Sequence, residues 1–179
     1  MLIIQKYNSV YVSNIPKIQQ LAHYICDVAT IGNSIVVVVP AIAEMTDEWL
    51  GLANQISTAP CKRERNLILT TAKQVSISLL AMALQELGKP AISLNETQVG
   101  IVSELECEYS INLNIQTERI KKCIDRNKIV IIPDPQHINE AANGFDDSFL
   151  AVLANELQAD SYEIYKDQNG LFVASRQNF

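Results

Sequence analysis

The segment Ser34–Pro40, SIVVVVP, is from Ile35 onward a continuous run of apolar, mostly β-branched residues with no polar alternation. A strand with one wet face alternates apolar and polar side chains. An unbroken run suits a strand covered on both faces, as in a parallel sheet flanked by helices. The rest of the chain supplies the cover. Leu2–Tyr7 reads as a short buried strand, and Asn14 as the cap of a helix with Ile18, Leu21, Ala22 and Ile25 on one stripe. Thr46-Asp47-Glu48 reads as a helix start leading into Trp49, Leu50, Leu52 and Ile56. Cys61–Leu87 reads as a long helix ending at Gly88, and its second half, QVSISLLAMALQEL, is apolar almost all round, which predicts a core helix.

Further strands are predicted at Ala91–Leu94, Ser110–Ile115, Lys128–Ile132 and Ser161–Tyr165. Helices are predicted at Thr117–Asn127, with Thr117 as cap, and at Ser148–Leu157; Asn169-Gly170 marks a tight turn. Strands alternating with helices, without repeats or a flexible linker, predict an α/β fold. The expected architecture is a three-layer αβα sandwich with a mainly parallel sheet, in a single domain over residues 1–179. Ligands of open α/β sheets sit at the carboxyl ends of the strands. That directs attention to the loops after Tyr7, Pro40, Leu94, Pro133 and Tyr165.

A formal net charge of −6 argues against a nucleic-acid surface. No apolar run approaches the roughly 18–20 residues needed to span a bilayer. The start, MLIIQKY, has neither a basic n-region nor a small-residue cleavage site, so the expected location is the cytoplasm. Cys26, Cys61, Cys107 and Cys123 are widely spaced and read as free thiols, and no metal site is expected. His23, on a predicted helix, reads as structural, and His137 stands alone.

The strand that ends at Lys6 and Tyr7 runs into Asn8, Ser9 and Val10, where a phosphate-binding loop would place glycines. Three longer segments are similar to the catalytic domain of aspartokinases, in the amino-acid kinase family. TTAKQVSISLLAMALQELGKPAISLNETQVGIV (Thr70–Val102) resembles the segment STGEQVSxxLLAxALxxxGxxAxSxxxxQxGI, including Gln98 and Gly100. Ser34–Ile56 resembles VVVVSAMxGxTDxLxxLAxxx, and Asp160–Ser175 resembles the nucleotide-side hairpin ExxTDVDGVYTADPR. The resemblance implies an amino-acid kinase-like fold, a homodimer, and Mg-ATP if the kinase chemistry is retained. The family's domain continues beyond that hairpin into the rest of the nucleotide half and two ACT modules. By resemblance the chain, ending at Phe179, is a C-terminally truncated version.

The departures fall on the reactive loops. In the family's KFGGTSV loop, glycine amides close on ATP phosphates and the lysine stabilises the transferring group. Lys6 remains, whereas Asn8 and Ser9 stand at the glycines; these residues and Lys166 and Asp167 of the hairpin are the implied nucleotide-binding positions. Lys6 also has a plain reading as a charged strand end. In SAMxGxTD the serine becomes Pro40 and the glycine Glu44, while Thr46 and Asp47 survive. The STGEQVS glutamate, which binds the substrate's α-amino group, becomes Lys73, a cation that repels an ammonium. Lys73 then either points to solvent or takes a new anion-binding role. In GRGGSD the arginine becomes Asn143 and a glycine Phe145, while Asp147 holds the aspartate's place and could equally cap a helix.

Lys6, Thr46 and Asp147 therefore persist, and Pro40, Lys73 and Asn143 do not. Each lost contact of this charge-matched type costs about 2–4 kcal/mol of transition-state binding. The resemblance with these departures implies a catalytically inactive aspartokinase-like protein, working by binding, regulation or scaffolding without a cofactor. Its partner could be a full-length amino-acid kinase, and Phe145, Trp49 and Tyr11 are the candidate contact residues, with core filling the plainer role for Trp49. The alternatives are a kinase of altered substrate choice, a non-catalytic nucleotide or anion sensor using Lys6 and Lys73, and a half-enzyme completed in trans by another chain.

Overall fold

The computed structural model describes residues 1–100, 115–135, 148–168 and 171–178. Six strands form one sheet: β1 (Leu2–Tyr7), β2 (Ser34–Val39), β3 (Ala91–Ser93), β4 (Ile129–Pro133), β5 (Ser161–Gln168) and β6 (Leu171–Asn178). Their order is β3-β4-β2-β1-β5-β6, all neighbours parallel except the terminal pair β5–β6. The continuous β-branched run is β2, a central strand whose residues Ile35–Val39 are buried, as its sequence requires.

The helices are α1 (Ile15–Thr30), α2 (Ala43–Ile56), α3 (Lys62–Glu86), α4 (Thr117–Ile124) and α5 (Ser148–Leu157). Strand residues alternate between two cores. On one face Ile4, Val36, Val38, Val130 and Ile132 pack with Ile120 of α4 and Phe149, Leu150 and Leu153 of α5. On the other, Tyr7, Ile35, Val37, Val39 and Ile131 pack with Ile18, Leu21 and Ile25 of α1 and Ile77, Leu80 and Leu84 of α3. This is the three-layer, mainly parallel sandwich expected from the sequence.

Local chemistry sets several boundaries. Asn14 caps α1, its side chain accepting a hydrogen bond from Lys17 N at 3.1 Å. Gly88, at φ +75°, ends α3: Gly88 N donates to Gln85 O and Lys89 N to Leu84 O, the paired bonds of a left-handed helix terminus.

Other boundaries differ from the sequence reading. α2 starts at Ala43, before Thr46-Asp47-Glu48, behind an Ile42 cap with no side-chain bond. Thr117 is the first residue of α4; Gln116 occupies the cap and makes no side-chain bond. α3 is long and apolar enough by length and composition to cross a membrane. It packs here against α1, α2 and the sheet, but its second half is not buried all round: Met82 is 62% exposed. The helix therefore covers the sheet with one face. His23, expected to be structural, lies exposed on α1. The strand predicted at Ser110–Ile115 lies outside the described residues except for Ile115. So do Asn169-Gly170, flanked by the paired residues Gln168 and Leu171.

Candidate functional site at the carboxyl edge of the sheet

The first loop is built from bonds to itself and to β5. Asn8 N donates to Tyr165 O, Val10 N to Asn8 Oδ1, and Tyr11 N to Asn8 O, each at 3.2 Å. Ser9–Val12 thereby forms a 3-10 turn with Asn8 as its cap, and Ser13 Oγ donates to Val10 O. Asn8 keeps an ordinary φ of −79°. The side chains that replace glycine are accommodated because the backbone turns back on itself. Amides that would cradle an anion meet internal acceptors.

Lys6 follows Ile4 onto the α4/α5 face of the sheet. It is only 2% exposed, so it is not a plain charged strand end. The register pairs Lys6 with Val38 and Val38 with Ile132, and Asp134 N continues the ladder by donating to Val39 O. This alternation puts Asp134 on the same face as Lys6, across β2. Lys6 Nζ lies 3.1 Å from Asp134 Oδ2, and both side chains are buried. The ammonium makes no hydrogen bond of good geometry, so the contact is chiefly electrostatic.

Lys73 extends from α3 towards the loop after β3. It is 4% exposed, and its Nζ donates to Glu96 Oε1 at 3.2 Å. The solvent-pointing alternative for this residue is thereby excluded. One turn further along α3, Ser76 Oγ donates to Pro40 O at 2.8 Å, tying the second loop to the helix. Thr46 is buried, and its hydroxyl donates to Ile42 O at 2.8 Å. Glu96 opens a short turn in which Asn95 N donates to Gln98 Oε1 and Gln98 N to Asn95 Oδ1. That turn closes at Gly100, whose φ of +72° suits glycine. Gln98 and Gly100, prominent in the sequence resemblance, thus have a local structural role.

The family model for the amino acid kinase family matches residues 1–178. The chain belongs to the amino acid kinase family. Within it, the chain is aspartokinase-like. It is 40% identical over 178 residues to an aspartokinase of Geobacillus stearothermophilus and 41% identical over 178 to one of Bacillus sp. (strain MGA3). Each alignment covers 96% of this chain, and 44% and 43% of the relative, so the chain spans under half the length of those relatives. The crystal structure of an aspartate kinase from Synechocystis superposes with a TM-score of 0.71 at 39% identity, covering 94% of this chain and 29% of that one. A carbamate kinase from Giardia shares the fold, with a TM-score of 0.66 at 13% identity over 93% of this chain and 72% of that one.

In this amino acid kinase family member Lys6, Asn8 and Ser9 stand at the end of β1, Thr46 on α2 after β2, and Lys73 on α3 beside the loop after β3. Lys166 lies on β5, half-buried, whereas nothing is described of the Asp167 side chain. Asn143, Phe145 and Asp147 lie outside the described residues. Trp49 is half-buried on α2 rather than in the core, and Tyr11 is half-buried on the first loop. Among the described residues no group of three metal-ligating side chains occurs. The sequence reading passed over Asp134 and Glu96, the partners of both lysines. The signal for Asp134 was its place between two prolines, directly after a buried strand.

It also passed over a polar network beneath the first loop. Tyr7 and Tyr165 rings stack at 4.6 Å, and Tyr11 and Tyr24 meet Tyr165 edge-on at 6.4 and 5.7 Å. Tyr165 Oη donates to Glu163 Oε2 at 2.7 Å and lies 3.0 Å from Tyr24 Oη. Gln5 Nε2 also donates to Glu163, and Tyr7 Oη donates to Gln5 Oε1 at 3.0 Å. Burial, then neighbouring phenols and Glu163, pushes the Tyr7 hydroxyl far above the ordinary phenol value. Burial, then the bonds to Tyr24 and Glu163, does the same for Tyr165.

A raised folded-state pKa gives stability that is complete below the unfolded value and is lost as pH rises beyond it. Stability should therefore fall above about pH 10, with a slope approaching about 2.7 kcal/mol per pH unit for two such phenols. Denaturant titrations at rising pH will read this slope, and Tyr7→Phe should remove about half of it. Absorbance at 295 nm should show these two phenols ionising only as the chain unfolds.

Proposed function

We propose that this chain is an aspartokinase-like binding protein that does not transfer phosphate to aspartate, acting as a regulatory or scaffolding component. The Lys73–Glu96 ion pair carries the reading. By resemblance to the family, position 73 is where a carboxylate receives the substrate's ammonium. Here a cation stands there, and its charge is met by the chain's own Glu96 at 3.2 Å. The loop amides at Asn8, Val10 and Tyr11 and the Lys6–Asp134 pair support the same reading, because these amides donate to internal acceptors and the Lys6 charge is met by Asp134. Phosphoryl transfer depends on positioning and electrostatic stabilisation, so a site neutralised from within has little left to offer the transition state.

The test is calorimetric titration with Mg-ATP, with and without L-aspartate, alongside an ADP-release assay. The expected result is no turnover above the uncatalysed background and no aspartate-dependent heat. Aspartate-dependent ADP release would overturn the reading. One observation favours a second reading, a non-catalytic nucleotide sensor: Lys6 stays buried at the strand end and makes no well-formed hydrogen bond with Asp134. Saturable Mg-ATP binding without turnover would support that reading over a pure scaffold.

A further inference from the structure

On the other face of the sheet from Lys6, the tyrosine cluster opens into a cavity of about 310 Å³. Its walls are the rings of Tyr11, Tyr24 and Tyr165, with the apolar side chains of Val10 and Leu21, and Lys17 and Gln20 stand on the α1 side. Volume and lining match a small-molecule site, apolar with few polar groups. The rings are already fixed by one another and by the phenol–carboxylate network, so a flat guest meets preorganised ring faces and edges.

Charge selects the guest. Among the described residues no acidic side chain lines the cavity, and Lys17 supplies a positive charge. Glu163, the nearby carboxylate in the network, is engaged by Tyr165 Oη at 2.7 Å and Gln5 Nε2 at 3.0 Å, and is not part of the wall. Lys17 lies in the first turn of α1, a turn with no acidic residue. A cation there is opposed by the positive end of the helix dipole, and a bound anion would offset both. We infer that this cavity is a binding site for a carboxylate that bears a planar aromatic ring, its ring among Tyr11, Tyr24 and Tyr165 and its carboxylate at Lys17. The site is separate from the carboxyl-edge lysines and stands whether or not the chain transfers phosphate.

The test is ligand-observed NMR and calorimetric titration of the full chain with 3-phenylpropanoate and its neutral analogue 3-phenylpropan-1-ol. Saturable binding of the acid is expected with a dissociation constant below about 1 mM, and about fivefold or weaker binding of the alcohol. Lys17→Gln, at an exposed position, should erase the difference between the two probes. Val10→Trp, at a position 41% exposed, fills the cavity from its rim and should abolish binding of both. Failure of the acid to saturate, equal affinity for acid and alcohol in the unaltered chain, a difference that survives Lys17→Gln, or binding that survives Val10→Trp would each overturn the assignment.

Discussion

Replacing Asp134 by alanine should destabilise the fold by about 3–5 kcal/mol, because it takes from the buried Lys6 ammonium the counter-charge 3.1 Å away. Lys6 is 2% exposed and lies 3.1 Å from Asp134 Oδ2, so water cannot readily take over the lost role. In a chain of this size the loss corresponds to a drop of about 6–20 °C in the thermal midpoint. The double variant Lys6→Met with Asp134→Ala should recover much of that loss, since no isolated charge remains and the methionine packs beside Val38 and Ile132. Equilibrium denaturation of the wild type, both single variants and the double variant gives the coupling energy directly.

The second large effect belongs to Lys73 and Glu96. Lys73→Glu places two carboxylates where one ion pair stood, both nearly buried, and should cost about 3–5 kcal/mol. Glu96→Lys should cost a similar amount by setting two ammonium groups together. The exchanged pair, Lys73→Glu with Glu96→Lys, restores opposite charges across the same gap and should recover at least half of the summed loss. Denaturant midpoints of these variants measure it. A full loss in the exchanged pair would mean that geometry, and not charge, sets the contact. Ser76, one turn along α3, holds Pro40 O independently of either charge, so the second loop should keep its place throughout the series.

Much of the scaffold was legible before any coordinates. The β-branched run Ile35–Val39 could only be a strand with both faces covered, and it is a central strand. Asn14 and Gly88 ended their helices as capping chemistry requires, because each acts on backbone groups within a few residues. The start of α2 was misplaced for the same reason. Its first turn has no capping side chain, so a Thr-Asp-Glu triplet inside the helix looked like a beginning. Thr46 instead turns its hydroxyl back on Ile42 O, an option that composition alone does not distinguish from a cap. The apolar second half of α3 suggested full burial, whereas a helix lying on a sheet needs only one covered face.

The site divides along the same line. Sequence by itself determined which residues stand at the ends of β1, β2 and β3, that glycines are absent after Lys6, and that position 73 carries a cation. Those facts are local, set by residue type and by order along the chain. Only the tertiary structure decided what each group meets. Asp134 reaches Lys6 because the parallel register of β1, β2 and β4 brings two strand ends onto one face. Glu96 reaches Lys73 because α3 lies against β3. Tyr7, Tyr24 and Tyr165 gather because β1 pairs with β5 and α1 covers both. Partners so far apart in the chain leave no periodic signal in it; their meeting is a consequence of sheet register and helix packing, which exist only once the whole layer has formed.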